Sequence, residues 1–131
     1  MPPLEFELTT ESLQVTQAAW DERFGAQITF VGVVRRLEGD HPIAGIDYSA
    51  YPAMAERVCD RLGREAERRF GDHRARMIHR VGFVAAAAPS VSLQVSSAHS
   101  SAAFDLCRWY LDRMKADVPI WKRIVPQQVA P

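Results

Sequence analysis

The sequence predicts an α+β fold in which helices pack on a largely antiparallel sheet. Short β-rich segments and segments with helical periodicity follow one another in the order β-α-β-β-α-β-β-α. The chain has 131 residues, which is enough for one real hydrophobic core and too few for two. We therefore expect a single domain spanning 1–131.

The first part of the chain is predicted to hold two strands and a helix. Residues 4–8 alternate apolar and acidic side chains, which is typical of an edge strand. Thr9 and Thr10 can cap a helix that we expect over 10–23. Its apolar members include Leu13, Ala18 and Trp20. Residues 26–34 are β-rich and almost continuously apolar, as expected of a central strand.

A hairpin and a second helix follow. The turn-forming cluster 38–42 leads into a returning strand at 43–51. Pro52 fits the first turn of a helix, and Gly71 fits its C-terminal stop. The buried stripe of this helix is predicted to comprise Met54, Val58, Leu62, Ala66 and Phe70. Arginines interleaved with glutamates occupy the opposite face, which favours a solvated surface over a nucleic-acid patch.

The last part of the chain is predicted to hold two strands and a third helix. We expect strands over 74–81 and 90–97, the second with one face turned to water or a partner. Its inward residues are Val91, Leu93 and Val95. The helix begins near Ser100 or Ser101, either of which can cap it. Its core-facing residues are predicted to be Ala103, Cys107, Tyr110, Leu111 and Met114. The tail over 124–131 is expected to be frayed.

Charge and cysteine content exclude several classes of protein. Sixteen basic and sixteen acidic side chains cancel, so no global field attracts nucleic acid or an anionic membrane. Cys59 and Cys107 fall in helical patterns without metal-ligand spacing, which indicates reduced, buried thiols and a cytoplasmic protein. We find no signal sequence and no apolar run of the roughly 20 residues that a membrane span needs. We expect no bound metal and no cofactor.

The segment 115–123 reads Lys-Ala-Asp-Val-Pro-Ile-Trp-Lys-Arg. Pro119 lacks a backbone N–H and biases the residue before it toward extended geometry, so the third helix should end there. Lys115 then lies at the helix end, and Lys122 lies on the extended segment behind it, with Trp121 as a core anchor. Two ammonium groups held in this way can converge on one anionic or electrophilic group. The alternative is two solvated lysines beside a core tryptophan.

This segment resembles the Lys-x-x-x-Pro-[Ile/Phe]-Trp-Lys-[Lys/Arg] signature of the catalytic, large subunits of molybdopterin synthase. The resemblance covers about residues 4–123, because other stretches agree with the family in order. They are Gly25-Ala26, 30–35, Tyr48, Tyr51, 79–82, Ser90-Val91, 96–99 and Ala103-Phe104. It implies an α/β-hammerhead-like core with an additional small antiparallel sheet, a topology that periodicity does not predict.

The resemblance also implies a sulfurtransferase of molybdenum cofactor biosynthesis. Such an enzyme adds two sulfurs to cyclic pyranopterin monophosphate and so forms the dithiolene of molybdopterin. The sulfur arrives as a thiocarboxylate on the Gly-Gly C-terminus of a small ubiquitin-like carrier, the other subunit. The implied assembly is a heterotetramer, a central homodimer with one carrier at each end. The site needs cations for the substrate phosphate, a slot for an extended peptide, and an acid, base or nucleophile.

Four residues match the family's site most directly. Lys115 and Lys122 match its two active-site lysines. A second cation nearby favours the neutral amine of Lys115 as base or nucleophile, and Lys122 is assigned to stabilising developing charge. Arg35 suits bidentate binding of a phosphate or carboxylate, and its alternative role is a surface ion pair. His99 matches a proton donor or phosphate ligand, and its alternative role is structural.

Other residues near these motifs are weaker candidates. Arg123 follows Lys122 and can add charge for substrate binding. Ser100 stands where the family usually has an arginine, so at that substrate-binding position a hydroxyl replaces a phosphate-binding cation. His79 and Arg80 lie within a predicted strand, and we interpret them as mainly structural.

Departures from the family leave a second class of function open. Ser49 and Ile124 stand where glutamates are common, in addition to the serine at position 100. The alternative to an active enzyme is a divergent, catalytically impaired homologue that binds the carrier or acts as a scaffold. A nucleic-acid-binding module is a third alternative; it predicts salt-sensitive binding and is opposed by the neutral charge balance.

Overall fold

The computed structural model describes residues 2–15 and 17–127. Within them lie eight strands and two helices. In chain order these are β1 (Leu4–Thr9), β2 (Ala26–Val33), β3 (Leu37–Glu38), β4 (His41–Ala50), α1 (Pro52–Phe70), β5 (His73–Arg80), β6 (Gly82–Ala85), β7 (Pro89–Ser97), α2 (Ser100–Asp117) and β8 (Ile120–Pro126).

The strands form two sheets. The four-stranded sheet has the order β1-β5-β7-β2, in which β1 is parallel to β5 and the other pairs are antiparallel. The smaller sheet is built on β4, which pairs antiparallel with β3, β6 and β8. The predicted α+β class and the additional small antiparallel sheet are confirmed.

Both helices pack against the four-stranded sheet and form the main core with it. Met77 and Leu93 are opposite each other on β5 and β7, and they share one buried cluster with Leu62 of α1 and Leu106 of α2. Each such side chain contributes about 1.5–3 kcal/mol when it leaves water. A second, smaller cluster lies under the small sheet and consists of Val34, Ile43, Ile46 and Val84.

The helix predicted over 10–23 is wrong. The described part of this segment is irregular and crosses the sheet face opposite the helices, where the Ala18 N–H donates to Gln94 Oε1 at 2.8 Å. Leu13, Ala18 and Trp20 are five and two positions apart, so they cannot form one helical stripe. Trp20 is accordingly 76% exposed.

Two predictions about strand environment also need correction. The strand predicted to be central, β2, lies at an edge, because in the described residues its ladder partner is β7. The polar face of β7 is covered rather than solvated, since the irregular segment packs over it; Ser92 and Ser96 are buried. The inward residues Val91, Leu93 and Val95 are buried as predicted.

The helix boundaries follow the sequence closely. Helix α1 begins at Pro52 and ends before Gly71, whose φ of 88° is readily adopted by glycine. Its predicted stripe is wrong at Met54, which is 45% exposed. The buried residues are Ala55, Val58, Cys59, Leu62, Gly63 and Ala66. Helix α2 is capped by His99 rather than by a serine, and the His99 carbonyl accepts from the Ala103 N–H at 3.0 Å.

The C-terminal region is more ordered than predicted. Strand β8 extends through Pro126 and pairs with β4, so the frayed tail does not begin at Ile124. The remainder of that predicted tail, 128–131, lies outside the described residues. Strand β6 was not predicted as a separate element; it begins at Gly82, whose φ is 86°.

Candidate active site

A cavity of about 370 Å³ lies where the four-stranded sheet, the end of α2 and the small sheet meet. It is lined by Phe30, Gly32, Val33, Tyr48, His79, Ser90, Val91, Leu111, Met114, Lys115, Ile120 and Lys122. Lys115 and Lys122 are the only lysines in the chain, and both line this cavity. The fold thus places both lysines of the chain at the wall of one cavity.

The chain reversal after α2 brings Lys122 to the cavity. Helix α2 ends at Asp117, and the extended Val118 closes it by donating its N–H to the Met114 carbonyl at 3.1 Å. The Pro119 carbonyl accepts from the Tyr51 N–H at 3.1 Å, which ties the turn to the start of α1. Strand β8 then pairs with β4, so that Lys122 lies opposite Tyr48.

Strand alternation separates Lys122 from its neighbours. Successive side chains of a strand point to opposite faces, so Trp121 and Arg123 lie on the face away from the cavity. Arg123 Nη2 donates to Asp47 Oδ2 at 2.8 Å, and its side chain is 73% exposed. The structure therefore does not bring Arg123 to the cavity. The prediction of Trp121 as a core anchor is wrong, because it is 56% exposed; Ile120 lines the cavity instead.

The other predicted substrate-binding residues lie outside the cavity. His99 and Ser100 are exposed at the N-terminal end of α2, fifteen or more residues from Lys115. With a rise of 1.5 Å per residue, that separation is roughly 22 Å along the helix. Arg35 is exposed two residues beyond the cavity-lining Val33, so it stands near the rim.

His79 is a cavity residue that sequence reasoning interpreted as mainly structural. It is 5% exposed, its Nδ1 lies 2.7 Å from the Arg80 carbonyl oxygen, and its ring meets Tyr48 edge-on at 5.0 Å between centroids. Burial lowers the pKa of His79, and the hydrogen bond to the Arg80 carbonyl opposes this in part. The sequence signal for His79 was the family match at 79–82. That match did not show that the end of this strand borders the cavity.

The cavity chemistry is cationic and hydrogen-bonding. Two ammonium groups face it, together with the hydroxyls of Tyr48 and Ser90 and the imidazole of His79. In the described part of the chain, no cluster of three or more histidine, cysteine or acidic side chains could hold a metal ion. Such a site suits an anionic substrate that needs positive charge and proton transfer.

A family model described as MoaE protein matches residues 7–117 of the chain. The chain belongs to the MoaE family. The molybdopterin synthase catalytic subunit of Thermoplasma volcanium is 41% identical over 99 residues, which cover 76% of this chain and 72% of the relative. That of Pseudomonas aeruginosa is 32% identical over 124 residues, covering 86% and 83%. This MoaE protein is therefore an enzyme of molybdenum cofactor biosynthesis.

Solved structures agree with the assignment to the MoaE family. Molybdopterin synthase from Staphylococcus aureus superposes with a TM-score of 0.88 at 28% identity, covering 95% of this chain and 93% of that one. A complex of subunits 1 and 2 of molybdopterin-converting factor from Helicobacter pylori has a TM-score of 0.66 at 22% identity, covering 82% and 74%. The latter likeness concerns the fold alone. The hammerhead-like α+β architecture is thereby confirmed.

Proposed function

We propose that this MoaE protein transfers sulfur from a thiocarboxylated carrier to cyclic pyranopterin monophosphate, forming the dithiolene of molybdopterin. The observation that carries the proposal is the cavity into which both lysines of the chain are folded. Thiocarboxylate and phosphate are both anions, so each gains from an ammonium group in a partly enclosed site.

The two lysines have different settings, which supports different roles. Lys115 is in the last turn of α2 beside Leu111 and Met114 and lines both the cavity and the neighbouring groove, so we assign it the role of base or nucleophile. Lys122 projects from β8, held by pairing with β4, and supplies a fixed positive charge for the substrate or for charge that develops on it.

The carrier subunit is part of the proposal. A groove between β2 and α2 shares Phe30, Leu111 and Lys115 with the cavity and continues past Phe104 and Asp112. An extended peptide can lie in such a groove with its C-terminus at Lys115, as a small ubiquitin-like carrier ending in Gly-Gly requires. The two-subunit complex from Helicobacter pylori has a related fold and supports a partner of this kind.

We further propose a homodimer at the centre of a heterotetramer, one domain per chain, in the cytoplasm. Within one chain, His99 and Ser100 are at the end of α2 opposite Lys115. If both ends act on one substrate, they must come from two protomers, and a twofold-symmetric dimer supplies two such sites. In the described residues, no helix is long and apolar enough to cross a membrane.

A single-turnover assay tests the proposed reaction. Thiocarboxylated carrier and cyclic pyranopterin monophosphate are mixed with the unaltered protein, and dithiolene formation is followed. We expect product with the unaltered chain and a loss of about 100-fold or more in rate for Lys115→Ala. Arg61→Ala, at an exposed cation of α1, is the control and should match the unaltered chain. Binding of carrier without any product from the unaltered chain would establish the divergent scaffold instead.

A further inference from the structure

The imidazole of His79 is a buried cavity group to which the proposed reaction assigns no role. It stands at the end of β5, in the register row that joins Gly32, Val91 and His79 across three strands of the sheet. All three residues line the cavity. The side chain is 5% exposed, so its position is set by packing and not by solvent. A polar ring buried at the wall of a substrate cavity is costly unless it has partners.

One ring nitrogen of His79 has a partner, and that partner determines the tautomer. Nδ1 lies 2.7 Å from the Arg80 carbonyl oxygen, which can only accept, so Nδ1 carries the proton. In the neutral ring Nε2 is then a bare acceptor. Among the described residues, Nε2 of His79 has no hydrogen-bond partner. It is also not one of the fully buried unpaired side-chain atoms, since among the described residues that group contains only Arg80 Nε. Nε2 is therefore open to the cavity that His79 lines.

The cavity's ammonium groups cannot accept hydrogen bonds, and its Ser90 and Tyr48 hydroxyls can rotate and have no single fixed direction. The ammonium groups of Lys115 and Lys122 only donate. The Ser90 hydroxyl donates to the Gly32 carbonyl at 3.4 Å. Burial lowers the pKa of His79, which favours the neutral imidazole with its Nε2 acceptor. A substrate with N–H donors as well as an anionic group thus meets both kinds of partner in one cavity.

We propose that Nε2 of His79 accepts a hydrogen bond from an N–H group of the pterin ring and so orients the heterocycle relative to the two lysines. This inference rests on the proposed function, in which the substrate is a pyranopterin phosphate. Lys115 and Lys122 attract the anionic groups, which carry no information about ring orientation. An acceptor with one fixed direction, held by the Arg80 carbonyl and by the edge of Tyr48, supplies that information.

Two amide substitutions distinguish the roles of the two ring nitrogens of His79. In His79→Asn the side-chain amide replaces Nδ1, so the bond to the Arg80 carbonyl is kept and the cavity acceptor is lost. In His79→Gln the amide reaches the position of Nε2, so the acceptor is kept and the bond to the Arg80 carbonyl is lost. Both are compared with the unaltered chain by thermal unfolding, by fluorescence titration with cyclic pyranopterin monophosphate, and by the single-turnover assay. His41→Asn, at an exposed histidine of β4, controls for the substitution itself.

The expected result is a crossed pattern. His79→Asn should unfold at nearly the unaltered temperature yet bind the pterin about fivefold to tenfold more weakly, the usual contribution of one hydrogen bond. His79→Gln should unfold at a lower temperature yet retain most of the pterin affinity. A pterin methylated at the contacted ring nitrogen should bind the unaltered chain and His79→Asn equally.

The outcomes separate this inference from the proposed function. If the unaltered chain forms dithiolene and His79→Asn binds pterin with unchanged affinity, the inference is wrong while the proposed function stands. If His79→Gln loses affinity and His79→Asn keeps it, the ring is a structural group that acts through the Arg80 carbonyl, and the inference is wrong as well. If the unaltered chain makes no product, the proposed function is wrong, and the inference that rests on it is wrong with it.

Discussion

Adjacent cations on β8 have different surroundings although they are neighbours in sequence. Lys122 lines the cavity, whereas Arg123 is paired with Asp47 on the opposite face of the small sheet. This difference follows from the two-residue period of a strand. The sequence offered both as candidate site residues, and only the pairing of β8 with β4 distinguishes them.

A matched pair of substitutions tests this distinction. Lys122→Ala removes a charge from the cavity, so we expect kcat/KM for sulfur transfer to fall about 100-fold. Arg123→Ala removes an exposed ion pair and should change kcat/KM by less than about twofold. Both variants are measured in the same single-turnover assay, over a range of substrate concentrations. Equal losses in the two variants would contradict the assignment of opposite faces.

Cysteine reactivity provides a second test at the residue scale. Burial, with a smaller contribution from the nearby Asp60 carboxylate, raises the pKa of the Cys59 thiol to about 12. Burial also raises the pKa of Cys107, and both thiols are free and buried, as predicted. Because the thiolate is the reactive form, neither should react with an alkylating reagent at pH 8 until the protein unfolds. Labelling of Cys59 in the folded protein as fast as in denaturant would contradict this.

At the scale of elements, Arg113 connects the two helices. Its Nε donates to Asp117 Oδ2 at 2.8 Å within α2, and its Nη1 donates to Glu65 Oε1 of α1 at 3.1 Å. The guanidinium also lies 5.1 Å from the ring centroid of Trp109. This network holds the last turns of α2, which carry Lys115, against α1.

Removal of this connection should weaken the protein modestly. We expect Arg113→Ala to lower the free energy of unfolding by about 0.5–1 kcal/mol, since the network is partly solvent-screened. Arg64→Ala, at an exposed arginine of α1, should have almost no effect. Urea denaturation of both variants measures the difference. The connection between helices is refuted if the two variants unfold alike.

The irregular segment before β2 is held by an acid-sensitive ion pair. The hydrogen bonds from the Arg23 side chain and backbone lower the pKa of Asp21 to about 2, and Arg74 on β5 contributes through its charge. Since the folded pKa is below the ordinary value of 3.8, the carboxylate stabilises the folded state above about pH 4. That stabilisation is lost as the pH falls from about 4 to about 2.

Acid unfolding of Asp21→Asn measures this contribution. We expect the variant to be less stable than the unaltered chain at pH 7, and the difference to shrink as the pH falls toward 2 and to vanish below it, where the native carboxyl is protonated. Glu22→Gln, the adjacent acid, is the matched control. A difference that persists undiminished at pH 2 would mean that charge is not its cause.

At the scale of the whole molecule, the proposed shared site combines residues that one chain does not bring together. His99 and Lys115 are at opposite ends of α2. Two inactive variants, His99→Ala and Lys115→Ala, should therefore complement each other when mixed and allowed to exchange protomers. Half of the dimers would be mixed with one intact site each, so roughly a quarter of the unaltered activity should return. If His99→Ala is fully active alone, or the mixture stays inactive, the shared site is wrong.

The sequence by itself determined the local elements and the family. Periodicity and end signals predicted α1 from Pro52 to its stop at Gly71, the strand β4 and the inward face of β7, because such patterns depend on neighbours a few residues away. The predicted pairing of β4 with the strand at 26–34 is wrong, because β2 pairs with β7 in the other sheet. The order of short motifs ending in Lys115 and Lys122 identified the family. Both lysines line the cavity.

Only the tertiary structure decided which residues share the site. The pairing of Tyr48 with Lys122 joins segments far apart in the chain, and the row from Gly32 through Val91 to His79 joins three strands. No local sequence pattern encodes those partners, because the alternation of side chains along a strand does not show which other strand it pairs with or in which register. For the same reason the sequence failed at the helix predicted over 10–23, whose described residues are irregular, and at the exposed Trp121.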